Sequence, residues 1–137
     1  MAYVPRKLFV NMAVKDLAKS KHFFGQLGFT FNPQFTDDNA ACMVLSEESF
    51  VMLLTEPYFQ GFTTKQLCDT STHTEGLCGF SCTIREEVDT IVAAAVASGG
   101  AVAGDAQDHG FMYGRGFYDL DGHHWEVIWM NPAHVQG

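Results

Sequence analysis

The 137-residue chain is 47% hydrophobic and 18% charged, with 16 acidic against 8 basic residues and a net charge of −8. This is too apolar for disorder, and the acidic excess argues against nucleic acid and anionic membrane as partners. The length suits one domain, 1–137, that folds without staples. Aromatics reach 13%, twelve of them Phe. So many rings point to a lined cavity or a buried subunit interface. The charge suits a neutral or cationic small molecule as the partner.

Residues 1–7 lack an apolar core, so no secretory signal is expected. The longest apolar run, 91–97, is mostly alanine and far too short to span a membrane. Cys42, Cys68, Cys78 and Cys82 form no C-x-x-C pair and no zinc-finger spacing. They read as free thiols, which places the chain in a reducing cytoplasm.

In chain order, 8–14 reads as a strand. Asp16 stands where a helix cap belongs, and Leu17, Ser20, Phe23, Phe24 and Leu27 share one helical face. Gly28 supplies the stop, so 16–27 is predicted helical. Strands are predicted at 29–31, 41–45 and 50–55, separated by Asn32-Pro33, Asp37-Asp38-Asn39 and Ser46-Glu47-Glu48. The first module is therefore 1–55. The stretch 56–76 is polar and aperiodic apart from Tyr58, Phe59 and Phe62, and reads as a functional loop or linker.

The order then repeats over 77–137. A short strand, 77–83, leads to Thr83-Ile84-Arg85-Glu86, which has capping-box spacing. Val88, Ile91, Val92, Ala95 and Val96 make a helical face, and Gly99-Gly100 ends it. Further strands are predicted at 101–102, 111–113, 116–119 and 124–129, with Asp121-Gly122 as a tight turn. Two helices are too few for a doubly wound parallel sheet. The prediction is an α+β fold of tandem βαβββ modules.

Two motifs, one per half, resemble a known group. They are Phe9-Val10-Asn11-Met12-Ala13-Val14-Lys15-Asp16-Leu17, and Phe117-Tyr118-Asp119-Leu120-Asp121-Gly122-His123-His124-Trp125-Glu126. The first, continued by Ser20, Phe23-Phe24 and Leu27-Gly28-Phe29, resembles the opening of the vicinal oxygen chelate superfamily. That superfamily holds glyoxalase I, bleomycin-resistance proteins and extradiol dioxygenases. The second resembles its closing F-x-D-P-D-G-x-x-x-E signature, with Leu120 in place of Pro. The resemblance implies a curved, partly open β-sheet cleft with helices on its outer face, and a homodimer. It also implies a divalent metal held by four side chains, usually His or Gln, Glu, His and Glu, serving lyase, isomerase or dioxygenase chemistry.

Against that pattern only Glu126 matches. Phe9, Met52 and Leu77 stand at the other three positions and do not match the expected ligands. Strand alternation puts His124, Glu126 and Ile128 on one face and Trp125, Val127 and Trp129 on the other. A half-buried Glu needs a metal, a partner or a proton. Glu126 is thus the candidate ligand or general base, with His124 and His109 as possible helpers. A glutamate bonded to backbone or Arg is the equal alternative. His123 and His124, beside a turn, are expected to be a solvated or interface pair. His22, His73 and His134 are expected to carry no chemistry.

No nucleophile elbow or phosphate loop is present in the sequence. Phe9, Asn11, Met52, Tyr113, Arg115 and His124 are the candidate ligand-binding residues. Tyr113 and Arg115 could orient an anionic or carbonyl group, or simply form a surface hairpin. Besides a structural or regulatory dimer with no small ligand, two functions stay open. One is a glyoxalase-related small-molecule-binding protein with an altered or lost metal site and lyase, isomerase or dioxygenase activity. The other is a metal-free sequestering protein of the bleomycin-resistance type for a cationic or aromatic compound.

Overall fold

A computed structural model describes residues 4–134 of the chain. The backbone divides into two compact units, Met1–Leu67 and Cys68–Gly137. In the first unit β1 (Leu8–Val14) is followed by α1 (Leu17–Gln26), β2 (Thr30–Phe31), β3 (Ala40–Val44), β4 (Ser49–Thr55) and α2 (Glu56–Gln60). Its sheet runs β1-β4-β3-β2, with β1 parallel to β4 and the other pairs antiparallel. In the second unit β5 (Leu77–Cys82) is followed by α3 (Arg85–Ala97), β6 (Ala101–Asp108), β7 (Met112–Tyr118) and β8 (His124–Met130). Its sheet repeats the order as β5-β8-β7-β6. The architecture is α+β, with two open four-stranded mixed sheets in tandem βαβββ order.

Each sheet buries one face under its helix, because side chains alternate along a strand. In the first unit Met12, Val14, Ala41, Met43, Val51 and Leu53 are buried, as are Leu17, Phe23 and Phe24 of α1. In the second unit Phe117, Trp125 and Val127 are buried, as are Val88, Val92 and Ala95 of α3. The Phe117 and Trp125 rings stack at 6.1 Å, 3° from parallel.

Both ends of α1 and the end of α3 hold as predicted. Asp16 caps α1, its Oδ1 accepting the Lys19 amide at 3.0 Å. Gly28 (φ 100°) and Gly99 (φ 107°) take the left-handed conformation that closes a helix. At the first, the amides of Gly28 and Phe29 reach the carbonyls of Gly25 and Phe24. At the second, Gly99 and Gly100 reach Val96 and Ala95 in the same way.

Other expectations are corrected. α3 starts one residue later than the capping box implied, with Ile84 at the cap and no side-chain bond from it. Glu87, not Glu86, reaches back, its Oε1 accepting the Thr83 amide at 3.1 Å. The strands predicted at 111–113 and 116–119 are one continuous strand, β7, and β6 extends to Asp108 with a register shift between Ala103 and Gln107. The stretch 56–76 contains the short helix α2, with Pro57 in its first turn. The start at 1–7 falls partly, and the tail after 134 wholly, outside the described residues.

The turn between β7 and β8 is organised by one buried carboxylate. Asp119 Oδ1 accepts the amides of Asp121 (2.9 Å) and His123 (3.0 Å), and Oδ2 accepts the indole N–H of Trp125 (2.9 Å). Burial pushes the Asp119 carboxyl above its ordinary value, while His123, Trp125 and the two amides pull the other way. Gly122 (φ 90°) packs so closely on the Thr70 carbonyl that any Cβ would collide with it. Replacing Asp119 strands three donors, two of them on buried residues. Asp119→Ala should therefore cost about 3 kcal/mol or more in urea unfolding, and a loss under about 1 kcal/mol would contradict this role.

Candidate functional site

The face of the first sheet opposite α1 is read from its register. Phe9 pairs with Phe50, Asn11 with Met52, and Ala13 with Leu54; across β3, Met52 pairs with Cys42 and Leu54 with Ala40. Paired residues share a face. Phe9 and Phe50 stack at 5.2 Å and 16°, and Lys7 Nζ lies 5.5 Å from the Phe50 ring. The structure therefore gathers three predicted ligand-binding residues, Phe9, Asn11 and Met52, on one open face.

A cavity of about 350 Å³ lies on this face. Asn11, Met52, Leu54 and Ala40 come from the sheet; Tyr58 and Phe62, packed edge to face at 5.2 Å, come from α2 and the turn after it. Residues 34–37 close the remaining side. Asn32 caps the 3-10 turn Pro33–Phe35 by accepting the Gln34 amide at 2.9 Å. Thr36 donates to the Asn32 carbonyl at 2.8 Å and accepts the Cys42 amide at 3.1 Å. Asp37 Oδ1 accepts the amides of Asn39 and Ala40. This rim is thus fixed by its own hydrogen bonds. Sequence reading missed it, because Phe35, Tyr58 and Phe62 sit in segments without periodicity.

In the second sheet, rows across β5, β8 and β7 read Leu77–His124–Tyr118, Gly79–Glu126–Gly116 and Ser81–Ile128–Gly114. Glu126 thus stands between two glycines on the face away from α3. Its Oε2 lies 3.0 Å from His124 Nε2, and the Tyr118 ring meets the His124 ring edge on at 5.2 Å. The side chains of His124 and Glu126 are 19% and 39% exposed, so both are within reach of solvent. A Cβ at Gly116 would collide with the backbone carbonyl of Ala103 and with Glu126 Oε2, and come within 3.1 Å of His124 Nε2, so only glycine fits here.

Tyr113 and Arg115 lie elsewhere. They pair with Trp129 and Val127 and so belong to the helix-side face. Both bond Asp89 of α3, Tyr113 at 2.8 Å and Arg115 at 3.0 Å. Arg85 lies 4.0 Å from the Tyr113 ring centre and pairs with Asp108. Bonding to Tyr113 and Arg115 holds the Asp89 carboxyl below its ordinary value, and the Arg85 pair does the same for Asp108. His109 sits at the β6–β7 turn beside Phe111, at the other end of β7 from Glu126's partner Gly116. His123, expected with His124 to form a solvated or interface pair, is instead buried within its own unit, with Nδ1 2.7 Å from Glu75 Oε1. His22 is exposed on α1, and His73 accepts or donates at 2.7 Å to Thr72.

The metal that the resemblance implies needs a donor set these residues do not form. Among the described residues no group of three or more His, Cys, Asp or Glu converges as a metal site. The ring stack of Phe9 and the thioether of Met52 stand on the open face of the first sheet, where hard donors would be needed. All four cysteines are free, and each thiol is pushed up, Cys82 to about 12 by burial and the neighbouring Glu87. None is a ready nucleophile. Among the described residues no helix is long and apolar enough to cross a membrane.

Residues 6–46 match the family described as bleomycin resistance protein-like N-terminal. No curated protein matches the chain's sequence. A hypothetical protein of S. aureus with a solved structure is 29% identical, with TM-score 0.76 over 93% of this chain and 95% of that one. A glyoxalase/bleomycin resistance protein/dioxygenase family enzyme of Burkholderia phytofirmans shares the fold at 16% identity and TM-score 0.73, over 89% and 96% of the two chains. So does a fosfomycin resistance protein of Listeria monocytogenes, at 15% identity and TM-score 0.65, over 96% and 98%. The chain is thus similar over residues 6–46 to bleomycin-resistance-like proteins, and it shares its fold with solved glyoxalase, bleomycin-resistance and dioxygenase family proteins.

Proposed function

We propose that the chain is a metal-free small-molecule-binding protein of the bleomycin-resistance kind, holding an aromatic compound on the open face of its first sheet. The carrying observation is the cavity of about 350 Å³ bounded by Asn11, Met52, Leu54, Tyr58 and Phe62. Its volume falls within the range of ordinary ligand sites. Met52 and Leu54 give an apolar floor, the two rings give walls, and the Asn11 carboxamide offers both a donor and acceptors. The stacked Phe9 and Phe50 extend the face along the same two strands. A net charge of −8 favours a neutral or cationic compound over an anionic one. The bleomycin-resistance-like match over 6–46 supports the same reading.

The His124–Glu126 pair favours a second reading, a glyoxalase-related enzyme of the lyase, isomerase or dioxygenase type acting on a vicinal-oxygen substrate. Glu126 would then be the general base, and His124 would hold its carboxylate in place. In that case Glu126→Gln abolishes turnover while substrate still binds. Both readings include a homodimer in a reducing compartment. Leu8 and Phe9, exposed on the edge strand β1, are the apolar surface a second copy would cover.

A thermal-shift screen with neutral and cationic aromatic compounds tests the binding reading. Hits should lose roughly tenfold or more in affinity in Met52→Trp, which fills the cavity, and about fivefold in Asn11→Ala. A screen with no hits, or hits indifferent to Met52→Trp, would sink it. Zinc, nickel or manganese should leave the melting temperature unchanged. A rise of more than about 4 °C would mean that a metal site exists after all.

A further inference from the structure

Scattered exposed apolar side chains need no account, but several that converge on one hollow do. Phe35, Tyr58 and Phe62 are 57%, 43% and 71% exposed, and all three line the cavity of the first unit. They come from two separate segments, each held by its own bonds. Phe35 ends the turn that Asn32 caps, and Thr36 ties that turn to Cys42 of β3. On the other side, the Gln60 carboxamide donates to the carbonyls of Thr63 (3.1 Å) and Lys65 (2.9 Å). It thereby closes the chain after α2 into a loop that carries Phe62. The Tyr58 and Phe62 rings stand 88° apart and form two adjoining walls. The rings are thus set in place with much of their surface left to water, a cost that a ligand removes.

The polar groups around the same cavity are uneven. Asp37 is the one charged residue that lines it, and no Lys or Arg does. Asp37 Oδ1 accepts the amides of Asn39 and Ala40, and no hydrogen bond among the described residues reaches Oδ2. Thr36 spends its hydroxyl on Asn32 and Cys42. The floor, Met52 and Leu54, offers an N–H group no acceptor better than a thioether. A primary ammonium entering here leaves water with too few acceptors for its three donors. A quaternary ammonium has no donors to satisfy. Its charge is met by aromatic rings and a carboxylate, and its methyl groups pack on an apolar floor.

We infer that this cavity is a cage for a quaternary ammonium group. Phe35, Tyr58 and Phe62 supply the rings, Asp37 the counter-charge, and Met52 and Leu54 the bed for the methyl groups. The inference rests on the reading of this cavity as the binding site and adds the chemical class of its ligand.

Choline and 3,3-dimethylbutan-1-ol share one shape and differ in charge, since carbon replaces nitrogen in the alcohol. Residue-resolved amide titrations of the full chain with each compound test the inference. Choline should shift the amides of Phe35, Asp37 and Phe62 saturably, and bind roughly tenfold or more tighter than the alcohol. Ethanolamine, the primary amine of the same length, should bind more weakly than choline. Asp37→Asn keeps an oxygen for the two amides and loses only the charge. It should cost choline roughly fivefold and leave the alcohol unchanged. Phe62→Leu removes a ring from a largely exposed position and should cost choline about threefold, while Phe62→Trp should retain it. Amides outside the cavity report whether each variant folds. Equal binding of choline and the alcohol, or a choline affinity indifferent to both Asp37→Asn and Phe62→Leu, would overturn the cage. The cavity would still stand as a binding site if Met52→Trp abolished both compounds. An absence of choline shifts at these amides would also overturn it. Aromatic hits from the thermal-shift screen that still shift the same amides would then preserve the binding reading, and their absence would end both.

Discussion

Asp119 gathers three donors: the amides of Asp121 and His123, and the indole N–H of Trp125. The first two shape the turn before β8. The third fixes which way the strand enters the sheet, because Trp125 must point to the side where Asp119 waits. Once Trp125 is committed to the helix side, strand alternation commits His124 and Glu126 to the open side. A register slip of one residue would bury Glu126 against α3 and expose the tryptophan. The acidic group at the open face is therefore held there by a carboxylate that never reaches it. Gly116 leaves room both for the pair and for the Ala103 carbonyl of β6.

The two units share one topology but fill it differently. Their equivalent central rows are Asn11–Met52–Cys42 in the first sheet and Gly79–Glu126–Gly116 in the second. The first is a packed, mostly apolar floor with a rim of rings. The second is bare backbone around one carboxylate. Neither row carries the convergent donors a divalent ion requires. The first offers shape and stacking, the second charge and hydrogen bonding.

Much of this was legible in the sequence where a residue type has one physical use. Gly28 and Gly99 mark helix ends because only glycine closes a helix at positive φ without strain. Asp16 marks a start because its side chain can take an orphan amide. The alternation of His124, Trp125, Glu126 and Val127 told the faces of β8 apart correctly. Reading failed where glycines interrupt a pattern. Gly114 and Gly116 split β7 into two apparent strands, which hid that Tyr113 and Arg115 face α3 and bond Asp89. The cavity rim was hidden for another reason. Residues 34–37 are shaped by side-chain bonds to backbone, and α2 is too short for periodicity. His123 looked like a surface residue, but lies buried against Glu75.

The most direct measurement is a residue-resolved amide titration with an aromatic compound taken from the thermal-shift screen. If the open face of the first sheet is the binding surface, the largest shifts fall at Asn11, Met52 and Tyr58, with α1 undisturbed. Shifts that avoid these residues, or that spread evenly through both units, would contradict the account.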